Sequence, residues 1–511
     1  MIGSILNIPP ELLELILSYL PHDSRLRASL VCSRFRDLLQ PMIFTSITLE
    51  LPPQCQYASD DIYGFGLNLR DMQRQLTSSR AALLAKSVRV LYIQPLPYVH
   101  RTMHLKDFPD LPPAMGHILS ASENLVSLRL QGIHLQLEAF EILSSIPRLS
   151  ELHLVSVTTD LAMLMDVDTD DDTESRHNNS VALVDGLTFL QLRLKTICIA
   201  GLLEEEFYIL CTKILDRSHL RDLFVADHPT SHYIARVISP TFPYLRSLHF
   251  NASGFTCYDD VDVEGSLLIQ APTLEELRIF GMFCDESELN RALKLLAYSD
   301  EAFQNLKILA GPEEFVIPFL MSRTSPVAHL VIACNPDNRE MNQNRVKRLG
   351  ALVEKWAERI ESLHYIIDSL DAIELLRQIS KLSRLRLLGL DVAQLRRSPT
   401  IGRAEPIAIL DELMEEARPK FRFPATLEHF AVYSETLDVE AARIRTEEFF
   451  EGIKCISHCR RLRYIRLSNE EDSFSWDPIA QVERKHKSVV ERQRDYIGLA
   501  SLVSHTMLIT L

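Results

Sequence analysis

The sequence predicts an α/β fold in which a helical N-terminal segment precedes a curved solenoid built on a parallel sheet. Two observations lead to this prediction. The first forty residues place apolar side chains at helical spacing on both sides of a proline break. From residue 44 onward, one six-residue apolar pattern recurs with helical segments between its copies. A short strand with one helix cannot bury its apolar side alone, so such units stack on their neighbours.

The N-terminal segment, residues 8–39, predicts two helices around a turn. Pro9 and Pro10 suit the start of a helix, and Pro21 interrupts the apolar spacing. Apolar residues then lie on more than one side of each helix, whereas a surface helix shows a single apolar stripe. A unit of about 40 residues rarely stabilises itself, so we expect the surplus apolar surface to face a partner.

The repeated pattern has the form Φ-x-x-Φ-x-Φ, where Φ is apolar. Thirteen copies run from FTSITL at residue 44 to LRYIRL at residue 462, and a damaged copy, LKILAG, begins at residue 306. Several intervals fall within the window of about 20–29 residues that is typical of leucine-rich repeats. Strand residues alternate sides, so the third and fifth positions should face the open side of the sheet. Those positions include Ser127, Arg129, Glu151, His153, Asp222, Phe224, Ser247, His249, Glu276, Arg278, His329, His364, Tyr464 and Arg466.

The run I-P-P-E-L-L-E-L-I-L-S-Y-L, followed by L-x-x-x-x-L-V-C-S-x-F, resembles the F-box over about residues 8–44. The repeats behind it resemble the leucine-rich substrate domain of many F-box proteins, and the junction is similar to fungal members. The resemblance implies a substrate receptor of an SCF-type cullin–RING ubiquitin ligase. Its F-box would bind the Skp adaptor, and its repeats would bind an unknown protein substrate. Two alternatives stay open: a leucine-rich scaffold acting outside ubiquitylation, and a helix pair that only caps the solenoid.

The resemblance also assigns domains and contacts. It implies an F-box helical domain over 1–43, a leucine-rich-repeat solenoid over 44–470, and a C-terminal loop and helix over 471–511 that caps the array. Phe35 stands where tryptophan is common in the family, which keeps the position apolar. The implied adaptor contacts are Ile8, Pro9, Glu11, Leu12, Ile16, Leu20, Leu26, Val31, Cys32 and Phe35.

Substrate recognition is expected toward the C-terminal end of the solenoid. Tyr464 and Arg466 occupy open-face positions of the last repeat, and the following loop carries Phe474 and Trp476. Aromatic residues next to arginine are the types that dominate interface energies. An equally good interpretation is that Phe474 and Trp476 fold back to cover the end of the array, because terminal repeats need a cap.

Composition excludes several other classes of protein. The net charge of −15 argues against a general nucleic-acid binder, which needs a basic field. No phosphate-binding glycine motif or nucleophile motif occurs, so we expect no enzyme and no cofactor. Cys455, His458 and Cys459 fall short of the four ligands of a zinc site, so no metal is expected either.

The remaining features indicate a protein of the cytoplasm or nucleus. The nine cysteines form no framework and are expected to be reduced thiols. The acidic segment 166–180 is expected to be a disordered loop rather than a cation site. The tail 496–511 predicts an amphipathic helix rather than a membrane anchor, because it is shorter than about 20 apolar residues.

Overall fold

The computed structural model divides the chain into two compact units, Met1–Leu245 and Arg246–Leu511. The acidic segment 166–180, the cysteines and histidine of 455–459 and the tail 496–511 lie outside the residues that the structure describes. The described residues are 8–20, 22–43, 45–51, 86–95, 119, 122–161, 191–202, 204–226, 243–251, 273–281, 289, 293, 303–322, 326–333, 339–368, 378–393, 424–433, 461–468, 472–477 and 482–487.

The N-terminal segment forms three helices, so the prediction of two is wrong. They are α1 (Pro10–Ser18), α2 (His22–Ser29) and α3 (Ser33–Ile43). The apolar spacing of the second predicted helix continues through residues 30–32, which is why the sequence did not reveal a break there. The first helix does begin with a proline in its first turn, as expected.

The break between α2 and α3 is made by local hydrogen bonds. The N–H of Val31 donates to the carbonyl of Ala28, which closes a tight turn in place of the helical bond. Cys32 then acts as the N-cap of α3: its carbonyl accepts the N–H of Arg36 at 3.0 Å, and its Sγ accepts the N–H of Phe35 at 3.5 Å. A side-chain acceptor at this position satisfies one of the unpaired N–H groups at a helix start.

The three helices share a small apolar core of their own. Every member of this core comes from residues 8–43, so the segment is a packed helical unit within the first half of the chain. The buried members are Leu13, Leu17, Phe35, Leu39 and Ile43, with Ile8, Leu20, Ala28, Cys32, Leu38 and Met42 partly buried against them.

The first unit continues as a parallel sheet whose strands follow chain order, and helices lie in two of the connections that the structure describes. Residues Leu137–Ser145 form α4, Glu204–Ile209 form α5, and a π-helical turn follows at Leu210–Ile214. A separate parallel pair joins β4 (His134–Leu135) to β6 (Thr158–Thr159). The strands of the main sheet are β1 (Ser46–Leu51), β2 (Val90–Pro95), β3 (Ser127–Gln131), β5 (Glu151–Val155), β7 (Thr196–Ala200) and β8 (Asp222–Val225).

The second unit repeats this construction. Two helices with described bounds lie in it, α6 (Glu313–Met321) and α7 (Arg339–Trp356). Eight consecutive strands pair in parallel, and two antiparallel strands follow them. The strands are β9 (Ser247–Asn251), β10 (Glu276–Phe280), β11 (Ile308–Pro312), β12 (His329–Ala333), β13 (Ser362–Asp368), β14 (Leu387–Ala393), β15 (His429–Tyr433), β16 (Tyr464–Ser468), β17 (Asp472–Asp477) and β18 (Val482–Lys487).

The apolar positions of the repeat form the core of each unit. In the third copy, Leu125, Leu128 and Leu130 are fully buried, while the residues between them are partly exposed. Each copy of the pattern lies on a parallel strand, including the damaged copy, which supplies β11. The predicted fold class is therefore confirmed: N-terminal helices precede parallel-sheet repeats of the leucine-rich type.

The segment after the last repeat differs from the prediction of a loop. Strand β17 pairs antiparallel with β16, and β18 pairs antiparallel with β17. Polar and apolar residues alternate in DSFSWD, and this period of two favours a strand. The hairpin gives β16 a partner on its far side, where the parallel array would otherwise end in an open strand edge.

Candidate functional site

Helix α1 carries two apolar stripes, and only one of them faces the helical core. Leu13 and Leu17 point into that core and are buried. The second stripe follows the spacing i, i+3, i+4, i+7, which places its members on one side of a helix. It is largely exposed: Leu12 is 54%, Leu15 53%, Ile16 50% and Tyr19 81% exposed.

A second group of exposed apolar residues lies on α2 and the turn after it. Leu26 is 41% exposed, Leu30 76% and Val31 72%. Within the part of the chain that the structure describes, ten large hydrophobic residues are exposed, and seven belong to the N-terminal helices. An exposed apolar group of this size marks a protein interface. We call these seven residues the N-terminal apolar surface: Leu12, Leu15, Ile16, Tyr19, Leu26, Leu30 and Val31.

The adaptor contacts implied by the sequence fall into three classes of exposure. Phe35 is only 8% exposed and belongs to the helical core, so its side chain packs within its own chain. Ile8, Leu20 and Cys32 are partly buried against that core. The remaining predicted contacts are exposed: Pro9, Glu11, Leu12, Ile16, Leu26 and Val31.

Three members of the N-terminal apolar surface were missed by the sequence prediction. Leu15 and Tyr19 complete the α1 stripe, and Leu30 lies four residues after Leu26. Helical spacing alone could have found Leu15 and Tyr19, because they are three residues after Leu12 and three after Ile16. Leu30 could not be placed without knowing that α2 ends at Ser29.

The open side of the first unit's sheet presents partly exposed polar and aromatic side chains, as the repeat pattern predicts. The guanidinium of Arg129 lies over the ring of Tyr92, 4.7 Å from its centroid. The hydroxyl of Thr196 on β7 donates to a carboxylate oxygen of Asp222 on β8 at 2.9 Å. These contacts hold side chains upright on the sheet and leave a mixed polar surface.

The corresponding side of the second unit's sheet begins with a buried polar cluster. Ser247 and His249 were expected to be open to solvent, but they are 6% and 2% exposed. The hydroxyl of Ser247 lies 2.9 Å from Nε2 of His249 and donates to Glu276 at 3.1 Å. Glu276 also accepts a hydrogen bond from Arg278. Hydrogen bonds and an ion pair therefore link the polar side chains of these two neighbouring strands.

The cluster shifts the pKa of its members. Burial lowers the pKa of His249 to about 4, so the imidazole is neutral at physiological pH. Burial alone would raise the pKa of Glu276, but the hydrogen bond from His249 and the charge of Arg278 hold it at about 2. The result is an Arg278–Glu276 ion pair beside a neutral histidine.

The cluster is not a catalytic triad, although it contains a serine, a histidine and a carboxylate. Nε2 of His249 lies beside both Ser247 Oγ and Glu276 Oε1, at 2.9 Å and 3.4 Å. A triad needs the two ring nitrogens to serve the nucleophile and the carboxylate separately. The burial of Ser247 also keeps its hydroxyl away from a substrate.

Farther along the second sheet, His364 lies against the strand beside it. A Cβ added at Gly389 would overlap the imidazole ring, so the glycine leaves room for it. Burial lowers the pKa of His364 to about 4. The histidine therefore contributes a neutral, packed ring to this surface.

The register of the last strands places the four residues predicted to bind substrate in two alternating sets of positions. The antiparallel register sets Trp476 opposite Ile465 and Phe474 opposite Leu467. Directly opposed residues lie on the same side, and Ile465 occupies a core position of the repeat. Tyr464 and Arg466 occupy the alternate positions of β16. The register therefore favours the cap interpretation for Phe474 and Trp476.

Within the described ranges, no three His, Cys, Asp or Glu side chains are grouped to hold a metal ion. No helix in the same residues has the length and apolar character needed to span a bilayer. The cysteines of these ranges, Cys32, Cys198 and Cys211, are not joined in disulfides.

Comparison with known proteins identifies the helical segment. Residues 5–46 match the F-box domain. No curated protein matches the chain. A solved structure described as the TLR13–ssRNA13 complex is similar over 68% of this chain and 49% of that one, with 13% identity and a TM-score of 0.28. The chain thus spans about half of that protein, and so distant a likeness carries no functional argument.

Proposed function

We propose that this protein is the substrate-recognition subunit of an SCF-type cullin–RING ubiquitin ligase. The F-box helices bind the Skp adaptor, and the repeats bind a protein substrate. F-box domains generally bind this adaptor, and F-box and leucine-rich-repeat modules are typically non-catalytic, so recognition rather than chemistry is the activity expected. The observation that carries the proposal is the N-terminal apolar surface on a segment that matches the F-box domain.

The energetics support binding at that surface. Burying a Leu, Ile or Val side chain stabilises an interface by about 1.5–3 kcal/mol relative to leaving it exposed. Six such residues and Tyr19, on α1, α2 and the turns that follow them, expose more apolar area than a folded monomer usually leaves in water. The substrate is proposed to bind on the open side of the repeats, where polar and aromatic side chains offer directional contacts.

Binding to purified Skp adaptor tests the proposal. The variant Leu12→Asp with Val31→Asp places two charges in the interface without touching the helical core, because both positions are exposed. Desolvating those charges costs several kcal/mol, so affinity should fall by about 100-fold or more. The matched control is Tyr244→Asp with Met321→Asp, which charges two exposed apolar positions outside the N-terminal helices.

The control variant should bind the adaptor like the unsubstituted chain, and all variants should keep the same melting temperature. Undiminished binding by the variant with Leu12→Asp and Val31→Asp would contradict the proposal.

A second experiment distinguishes a ligase subunit from a scaffold that acts outside ubiquitylation. In a reconstituted reaction with cullin, RING protein and ubiquitin enzymes, we expect ubiquitin transfer to this chain. Adaptor binding without any transfer would favour the scaffold.

A further inference from the structure

Two arginines donate hydrogen bonds to backbone carbonyls at the two ends of α1. From α2, Arg25 donates through Nε to the carbonyl of Leu20 and through Nη2 to the carbonyl of Ser18, both at 2.8 Å. From the start of α3, Nη2 of Arg34 donates to the carbonyl of Ile8 at 2.9 Å. These carbonyls flank α1 at its C-terminal and N-terminal ends.

Apolar packing also holds α1 against the helical core. Leu13 and Leu17 are buried one turn apart, and Ile8 and Leu20, just outside the two ends of the helix, are partly buried against the same core. Apolar contacts are not directional, so they limit the rotation and tilt of a helix less sharply than hydrogen bonds do. Hydrogen bonds from a guanidinium are directional and charge-assisted, and they act at the two ends where tilting would displace the helix most.

At the end that Arg25 holds, the carbonyls of Leu15, Ile16 and Leu17 accept from the hydroxyl of Ser18 and from the N–H groups of Tyr19 and Leu20, whereas the carbonyl of Ser18 accepts from Arg25. The last carbonyls of a helix have no N–H within the helix to accept from. The carbonyl of Ser18 ends α1, and Pro21, three residues on, cannot donate from its own nitrogen. A positive side chain at a helix C-terminus also complements the helix dipole.

We propose that Arg25 and Arg34 are positioning residues for adaptor docking: they hold the exposed stripe of α1 in one orientation relative to Leu26, Leu30 and Val31. This inference rests on the proposed function. A clamped α1 presents both halves of the N-terminal apolar surface together before the partner arrives. Without these hydrogen bonds, the orientation of α1 that can dock is only one of several orientations. The apparent affinity for the adaptor is then reduced in proportion to the fraction of molecules in that orientation.

The test compares Arg25→Met with Arg27→Met in the full chain. Methionine keeps much of the apolar stem while removing the guanidinium. Arg27 lies on the same helix, is exposed, and its side chain makes no hydrogen bond or ion pair within the described residues, so it controls for loss of charge. Affinity and rates for purified Skp adaptor are measured at 15 °C, below the melting transition of each variant, together with amide hydrogen exchange of the free chains.

We expect Arg25→Met to weaken adaptor binding about tenfold, mainly through slower association, because binding must then select one helix orientation. Amides of α1 should exchange faster, while those of α3 stay protected. Arg27→Met should match the unsubstituted chain in both measurements. A purely structural role would lower the melting temperature and leave affinity at 15 °C unchanged.

If Arg25→Met and Arg27→Met have equal affinity for the adaptor and equal amide exchange in α1, Arg25 does not position the helix and the proposal is wrong. Arg25→Lys covers the case in which the methionine variant does not fold, since an ammonium can reach one of the two carbonyls and should give an intermediate affinity. Absence of adaptor binding by the unsubstituted chain would instead overturn the proposed function and the docking role with it, whatever the exchange of α1.

Discussion

Leucine residues of the N-terminal helices and leucine residues of the repeats have opposite environments. In the repeats, Leu128 and Leu152 are fully buried because strands and connections before and after them cover the sheet. In the helices, Leu12 and Leu30 face solvent although they are equally apolar. A repeat finds its covering layer in the next repeat of the same chain. Among the residues that the structure describes, the N-terminal helices have no such neighbour over their second apolar side, and this difference favours a second protein as its cover.

The largest expected effect is a difference in the free energy of unfolding between a leucine substitution in the repeats and one in the N-terminal helices. Leu128→Ala should lower the free energy of unfolding of the first unit by about 2–5 kcal/mol, because it removes a fully buried side chain and leaves a cavity. Leu30→Ala, the same change at a residue that is 76% exposed, should stay within about 0.5 kcal/mol. Urea unfolding followed by circular dichroism measures both. Similar losses in the two variants would mean that Leu30 packs within its own chain.

The next largest effect is expected at the end of the second unit, where it tests whether Trp476 stabilises the last strands. Trp476→Ala should destabilise that unit by about 2 kcal/mol, because its register position matches the core position of Ile465. Arg466→Ala, at the alternate position, should change stability by less than about 0.5 kcal/mol. Thermal unfolding of both variants is the measurement. Wild-type stability for Trp476→Ala, with loss of a captured protein partner, would restore the recognition role first predicted for this residue.

The smallest effect concerns pH in the second unit. Burial lowers the pKa of His364 from 6.5 to about 4, so between these values the unfolded chain binds a proton that the folded chain does not. Stability should therefore fall as the pH is lowered from 6.5 toward 4 and stay level above 6.5. In His364→Gln the fall should be shallower, measured as melting temperature against pH. An unchanged slope would show that His364 titrates normally in the folded protein.

Much of the fold was predictable because the repeat signal is long and regular. Thirteen copies of one pattern give both the strands and their buried positions, and even the damaged copy at 306 forms a strand. Two features of the fold were not predicted from the sequence. The turn at residues 30–32 interrupts an unbroken apolar spacing through local hydrogen bonds to Ala28 and Cys32. Strand β17 differs from the expected loop. Its sequence, DSFSWD, combines acidic and serine residues, which are common in loops, with the alternation of Phe474 and Trp476, which favours a strand.

The candidate site was less predictable than the fold. Family resemblance assigned Phe35 to the adaptor contacts, but a position shared by two helices can be core or surface, and only packing decides. Helical spacing would have added Leu15 and Tyr19 to Leu12 and Ile16. The hydrogen bonds from Arg25 to α1 left no signal in the sequence, since they depend on where the chain turns between α1 and α2.

Hydrogen–deuterium exchange of the full chain, with and without purified Skp adaptor, tests the central claim most directly. The account predicts protection confined to the N-terminal helices, strongest over α1 and the turn at residues 30–32, with the repeats unchanged. Equal exchange in both samples at saturating adaptor, or protection on the sheets in place of the helices, would contradict the claim that the N-terminal apolar surface is the docking site.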